Sequence, residues 1–323
     1  MRTLAIALLG FTLLNSPLAA QEKWPGLPAM TSEEACRLLG QKDTSLPAWA
    51  RTLASPLPKT TVAMLELDYL HRAKTPLEPI LAAKLRWTAA RTLGSVYGQR
   101  YAEADLRRLG LSEDDLKRLG TEKGASDEAI CLKFGQTMTR SASSVTDEVV
   151  ADLLKRFGPE KVVAMVHTLA YANFHNRVIV GLGVEVEPDG PLPPLQVDPA
   201  SRTKIVTPKR PPLKEPSVVK SLPGFQLDWN KQTIEDLTKA VDQQKARKSR
   251  IPLPDPAHFA KLPPGAKQQA ENIVWMNISM GYQPQLTAAW FECLRAFQSE
   301  AAFDRVYSNS VFWVITRSNE CFY

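Results

Sequence analysis

Histidine and cysteine are scarce in this chain, four of each in 323 residues. None of the cysteines has zinc-ligand spacing. His167 and His175 fall eight positions apart on one predicted helix, about 12 Å at 1.5 Å of rise per residue, too far to share a metal directly. His71 and His258 have no partner in sequence and read as surface residues. No Gly-x-Ser-x-Gly elbow, phosphate loop or dinucleotide fingerprint occurs, and no cofactor is expected. Sustained strand-like alternation is missing as well. Basic residues outnumber acidic ones, 40 to 34, for a net charge of +6. They are scattered or gathered in one Pro-rich stretch without interleaved aromatics, which reads as solvated surface rather than a nucleic-acid face.

What is present begins with a leader. Met1 to Ala20 carry one positive residue, Arg2, an apolar run over residues 4–14, and small residues at Ala19 and Ala20. This is the pattern of a Sec-type signal peptide, with a run too short to span a bilayer. Cleavage is expected near Ala20, with export to the periplasm or beyond and no membrane span afterwards. Cys36, Cys131, Cys293 and Cys321 all follow the leader, and an oxidising compartment permits two disulfides in three connectivities. The first three sit in predicted helices among apolar residues, where a free cysteine behaves as a small hydrophobe, and that reading is favoured.

The pattern is helical nearly throughout. Thr31-Ser32-Glu33-Glu34 is a capping box for a short helix closed by Gly40. Further helices are expected over residues 46–55, 59–73 and 79–93, the last with Leu81, Leu85, Thr88 and Leu93 inward, then a break at 94–98 and helices over 100–109 and 113–119. Residues 125–140, 146–157 and 159–182 complete a first helical unit. Asn173, His175, Asn176 and Arg177 cluster late in that last helix and could line a pocket, but packing and favourable placement of cations toward a C-terminus explain them without a ligand, and that reading is favoured. From residue 188 to about 227, ten prolines interrupt any period, and the stretch reads as a semi-rigid basic linker. Helical pattern resumes over 231–248, from about 264, and over 286–297 and 301–316. The expected architecture is an all-α bundle with a unit at 21–187, a linker at 188–227 and a second, incomplete unit at 228–323.

The second unit echoes the first. A shift of roughly 226 residues pairs Thr61 with Thr287, Ala63 with Ala289, Glu66 with Glu292, Trp87 with Trp313, Arg91 with Arg317 and Tyr97 with Tyr323, without a gap. The same shift pairs Ser95 with Cys321. The last residues, Arg317 to Tyr323, look like the front half of a Cys-x-x-Cys motif, whose two thiols can cycle when held on a first helical turn.

Lys84-Leu85-Arg86-Trp87-Thr88-Ala89-Ala90-Arg91, followed by Ala104-Asp105-Leu106-Arg107-Arg108-Leu109-Gly110, resembles the carboxymuconolactone decarboxylase family, which includes the alkylhydroperoxidase-D-like proteins. The resemblance continues through Ala125 to Ile130 and Met138 to Glu148, and ends in Tyr171-Ala172-Asn173-Phe174-His175-Asn176-Arg177 and Leu182-Gly183-Val184. It covers about residues 46–187 and the start of a second copy from about 251. It implies an oligomerising all-helical fold of the alkylhydroperoxidase-D-like type, internally duplicated, with a peroxide substrate and a thiol reductant. In the peroxidase branch a Cys-x-x-Cys is followed by a histidine and preceded by a glutamate. The second cysteine attacks peroxide, the first resolves the sulfenic acid, and the other two relay protons. Carried over, the first copy offers Ser95 and Gly98 at the cysteine positions, Ala102 at the histidine and Ala83 at the glutamate. The second offers Cys321 at the resolving position and Asn309 at the glutamate position. The expectation is therefore an exported relative of thiol-dependent alkylhydroperoxidases that is inactive or incomplete in this chain. The alternative is a non-catalytic helical scaffold or binding protein. Lactone decarboxylation is implied by the family name alone.

Overall fold

The structure, a computed structural model, describes residues 27–121, 126–206, 233–246, 248–255, 257, 274–301 and 303–318. All regular structure among these residues is helical, and no strand occurs among them. The signal-like leader, His258 and Cys321 lie outside the described residues.

Local chemistry sets the first elements. The capping box forms as read: Glu34 N donates to Thr31 Oγ1 (3.2 Å), Thr31 N donates back to the Glu34 carboxylate (3.0 Å), and α1, Ser32–Leu39, ends at Gly40 with φ of 63°. After α2, Ala48–Leu53, comes α3, Pro58–Ala73, with proline in its first turn. Glu78 caps α4, Pro79–Thr92, through the Ile80 and Leu81 amides. Ser95 caps α5, Val96–Arg108, so the expected break at 94–98 shrinks to a turn at Gly94 and Ser95. The short α6, Glu113–Lys117, and α7, Asp127–Arg140, start from Ser112 and Ser126. The long α8, Asp147–Leu182, is two helical stretches joined at Gly158, whose φ of 73° and ψ of 165° suit only glycine, with Pro159 next. Farther on come α9, Ile234–Ala246, α10, Val274–Tyr282, α11, Pro284–Glu300, and α12, Arg305–Ser318.

Packing gives these helices three larger apolar clusters and a small fourth one, Met276 and Met280 of α10 with Phe291. Around α3, residues such as Trp49, Leu65 and Leu67 meet Ile179 of α8 and Leu286, Ala289 and Cys293 of α11. Leu85 of α4, Cys131 of α7 and Leu153, Met165 and Leu169 of α8 form the second, and Ala83, Trp87, Ala102 and Leu106 of α4 and α5 the third. Because α4 lies against α5, α7 and α8 at once, its buried positions run nearly all round: Ala82, Ala83, Leu85, Arg86, Trp87, Ala89 and Ala90. Of the four positions expected inward, Leu85 is buried, while Leu81, Thr88 and Leu93 are half-buried. Residues 188–206 lie against this body, with Leu195 and Val197 packed on the first cluster, a short 3-10 turn at Pro199–Lys204 on α3, and Ile205 buried. Helix α12 turns several large apolar side chains to solvent, Val306, Phe312, Trp313 and Ile315 among them.

One contact ties the two ends of the chain together. No side chain within α3's own cap accepts its first-turn amides. Glu300, at the end of α11 and 2% exposed, does so instead. Its carboxylate accepts Lys59 N (2.8 Å), Thr60 N (2.8 Å) and Thr60 Oγ1 (2.7 Å). A negative charge at a helix N-terminus is favourable, and these amides would otherwise be buried without a partner. Glu300→Ala is expected to lower stability by about 3 kcal/mol, read as a fall in the urea midpoint, with Glu300→Gln losing less because an amide oxygen still accepts.

Candidate functional site

The i, i+4 pair Asp68 and Arg72 on α3 is the seed of a buried charged cluster. Arg72 Nη1 donates to Asp68 Oδ2 (2.8 Å), and its Nε and Nη2 grip Asp105 of α5 at 2.8 and 2.9 Å. Asp105 also accepts from Arg86 of α4 (3.0 Å) and from Arg108 (2.8 Å), while Arg72 Nη2 reaches the Leu192 carbonyl (2.8 Å). Burial alone would raise the Asp105 pKa, but hydrogen bonds from Arg72 and the charges of Arg86 and Arg72 outweigh it and hold the carboxyl below its ordinary range. Burial likewise works against the Arg72 charge, and Asp68 and Asp105 overcome it, keeping Arg72 protonated.

From this cluster a ladder of rings runs along α8. Tyr171 donates to Asp68 Oδ1 (2.6 Å) and stacks on His71 at 4.5 Å, while His175 lies 5.4 Å from Tyr171 and 5.1 Å from Trp49. His71 is fully buried rather than on the surface. Its position on α3 faces α8, and a stacking partner 100 residues away is invisible to local pattern. Neither ring nitrogen of His71 has a protein partner, nor do His175 Nε2 and Asn176 Oδ1. Burial, then the neighbouring His167 and Arg86, hold the His71 pKa well below the ordinary histidine value. Burial also brings His167 and His175 down to about 4, with Asp68 opposing at His175.

The expected cluster on α8 divides. His175 and Asn176 line a cavity of about 20 Å³ together with Arg86, Tyr97 and Gly98. That volume is close to one water molecule, so as folded it admits no organic substrate. Asn173 is engaged elsewhere, donating to Thr139 Oγ1 (3.1 Å) and the Leu169 carbonyl (2.8 Å). Arg177 turns to the opposite face, together with His167.

The first-copy positions carried over from the resemblance hold no thiol. Ser95 is buried as the cap of α5, accepting from Gly98 N at 3.2 Å. A Cβ on Gly98 would lie 2.8 Å from Asn176 Cγ and 2.9 Å from Ala90 Cβ, and closer still to Asn176 Oδ1, so a side chain there displaces the packing. Ala83 and Ala102 are buried in the α4–α5 cluster, and Asn309 is exposed on α12. Cys36, Cys131 and Cys293 are free and buried. Burial raises the Cys36 thiol pKa and pushes Cys131 up to about 11 and Cys293 to about 12, leaving all three protonated and unreactive at neutral pH. Among the described residues no group of three or more His, Cys, Asp or Glu side chains could hold a metal ion.

A second and much larger space lies on the other side of α8. A cavity of about 830 Å³ opens between α2, α3, α8, α10 and α11. Val166, Ala170, Phe174 and Val178 floor it, at spacings of four along α8, and Trp275, Trp290 and Phe291 close the far side. Nothing in the periodicity of either half alone pointed to it, because the walls come from segments more than 200 residues apart.

Comparison with family models, with curated proteins and with solved structures finds no match to this chain.

The three depressed histidines make stability acid-sensitive. Each is neutral when folded and takes up its proton on unfolding, so its contribution is full above the unfolded value near 6.5 and is lost as pH falls toward about 4, where His167 and His175 titrate in the fold. For His167 and His175 the loss is expected on the order of 3 kcal/mol each when fully protonated. Urea midpoints measured from pH 7 to pH 4.5 should fall steadily, and His175→Phe should flatten that slope. A pH-independent midpoint would show that these rings are not buried neutral.

Proposed function

We propose that this chain is an exported, alkylhydroperoxidase-D-like helical protein built from a repeated unit, and that it binds an apolar ligand in place of turning over peroxide. The 830 Å³ cavity carries this reading. Its size falls within the roughly 300–1,000 Å³ of small-molecule sites, and its walls are almost wholly aliphatic and aromatic. The buried, protonated thiols of Cys36 and Cys131 and the one-water polar cavity both speak against chemistry at the first unit.

Several observations support the repeat. Displacement by 226 residues takes the start of α3 at Pro58 to that of α11 at Pro284, and takes both ends of α4 to both ends of α12. The caps agree too, with Leu57 at φ −143°, ψ 61° and Gln283 at φ −134°, ψ 60°. Thr61 and Thr287 each donate to the cap carbonyl four residues back at 2.7 Å. Helices α3 and α11 pack together, and the equivalent Glu66 and Glu292 share Arg202, at 3.1 and 3.7 Å. Pairing through the same patch on both members is how related units associate. The exposed apolar side chains of α12 support a homo-oligomer within the same reading.

Titration of the full chain with an uncharged apolar fluorophore such as N-phenyl-1-naphthylamine should show saturable, one-to-one binding. Ala170→Trp, which fills the cavity floor, is expected to abolish it. Unsaturable uptake, or binding indifferent to that substitution, would sink the reading. The peroxidase alternative rests on Cys321 and has its own assay: thiol-dependent peroxide consumption that disappears in Cys321→Ser would favour it over a binding role.

A further inference from the structure

Resting on the binding role proposed above, we infer that the ligand is a linear amphiphile with a single anionic head, its head at Arg177 and its chain lying along α8 toward His167. Among the side chains that line the cavity, Arg177 alone carries a charge. It is exposed at the cavity edge and has no ion-pair or hydrogen-bond partner among the described residues. The remaining polar groups are neutral or already engaged. Thr60 donates to Glu300 and Thr287 to the Gln283 carbonyl. Burial keeps the Cys293 thiol and the His167 ring uncharged at neutral pH.

One unpaired cation at the mouth of an uncharged apolar trough is complementary to one anion joined to a hydrocarbon tail. A second charge on the head would gain no further ion-pair partner from the residues that line the cavity. Geometry sets the tail. His167 and Arg177 are ten residues apart on the same helix and line the same cavity, a separation of about 15 Å at 1.5 Å per residue. An extended zigzag chain advances only about 1.3 Å for each C–C bond of about 1.5 Å, so about twelve carbons cover that distance. Between these two residues the floor is Ala170 and Phe174, with no group that would reject a methylene chain. A carboxylate on the arginine would gain charge-assisted, two-point hydrogen bonds that an alcohol cannot make.

The test compares dodecanoate, dodecanol and dodecyltrimethylammonium, each below its micelle concentration, on the full chain by isothermal titration calorimetry and quenching of tryptophan fluorescence. Dodecanoate is expected to bind about tenfold more tightly than dodecanol, and the cationic analogue more weakly than either. Arg177→Gln, at an exposed position, should bring dodecanoate down to the level of dodecanol. Equal affinity for the three, or dodecanoate affinity unchanged in Arg177→Gln, would overturn the head-group assignment while leaving an apolar site standing. No binding of any of the three, together with failure of the uncharged fluorophore, would overturn the binding role itself.

Discussion

A guanidinium buried in a helical core has to be paired on every side, and Arg72 is in that position. Its partners come from its own helix (Asp68), from α5 (Asp105) and from the carbonyl of Leu192. Asp105 in turn gathers Arg86 from α4 and Arg108. Removing one member of such a cluster leaves an uncompensated charge, at about 3–5 kcal/mol, so the cluster fixes how α3, α4, α5 and the strap at 191–192 converge. Through Asp68 it also fixes Tyr171, and Tyr171 sets the rings of His71 and His175. Beside this cluster, Ser95 and Gly98 have structural roles. Gly98 is closed over by Asn176, and Ser95 is spent on a helix cap.

α8 divides the molecule chemically. Tyr171, His175 and Asn176 lie on the side of the charged cluster, while Val166, Ala170, Phe174 and Val178 lie on the side of the large cavity. A single helix can present both faces because positions four apart stack on one side of it. The polar face is nearly filled and the apolar face is open, so the space for a ligand sits on the apolar side.

Much of the fold was legible because its signals are local. Thr31 with Glu34, Gly40, Pro79, Ser112 and the Gly158-Pro159 pair mark helix ends through chemistry confined to three or four neighbours. Ser95 was passed over as a cap because Gly94 and Gly98 suggested a longer break. The inward face of α4 was misjudged because its buried positions include Ala82, Ala83, Ala89 and Ala90, whose small side chains leave little apolar periodicity. His71 reads as a surface residue from sequence, since the ring it stacks on lies on another helix. The cavity was least legible of all. A space has no residues of its own, and this one exists only where α8 meets α10 and α11. Cys321, on which the redox expectation turned, lies outside the described residues.

Glu300 has a kinetic consequence. The acceptor that completes the first turn of α3 lies 240 residues farther along the chain. During synthesis, α3 emerges long before its cap, with its N-terminal amides left to water. Closing so large a loop carries an entropy cost that helix formation does not, and contacts of this kind slow folding. The first unit can collapse early through its nearby helices, while the docking of α11 on α3, and with it the walls of the large cavity, belongs to a late step. Any amphiphile present at that stage would meet an open groove rather than a finished pocket.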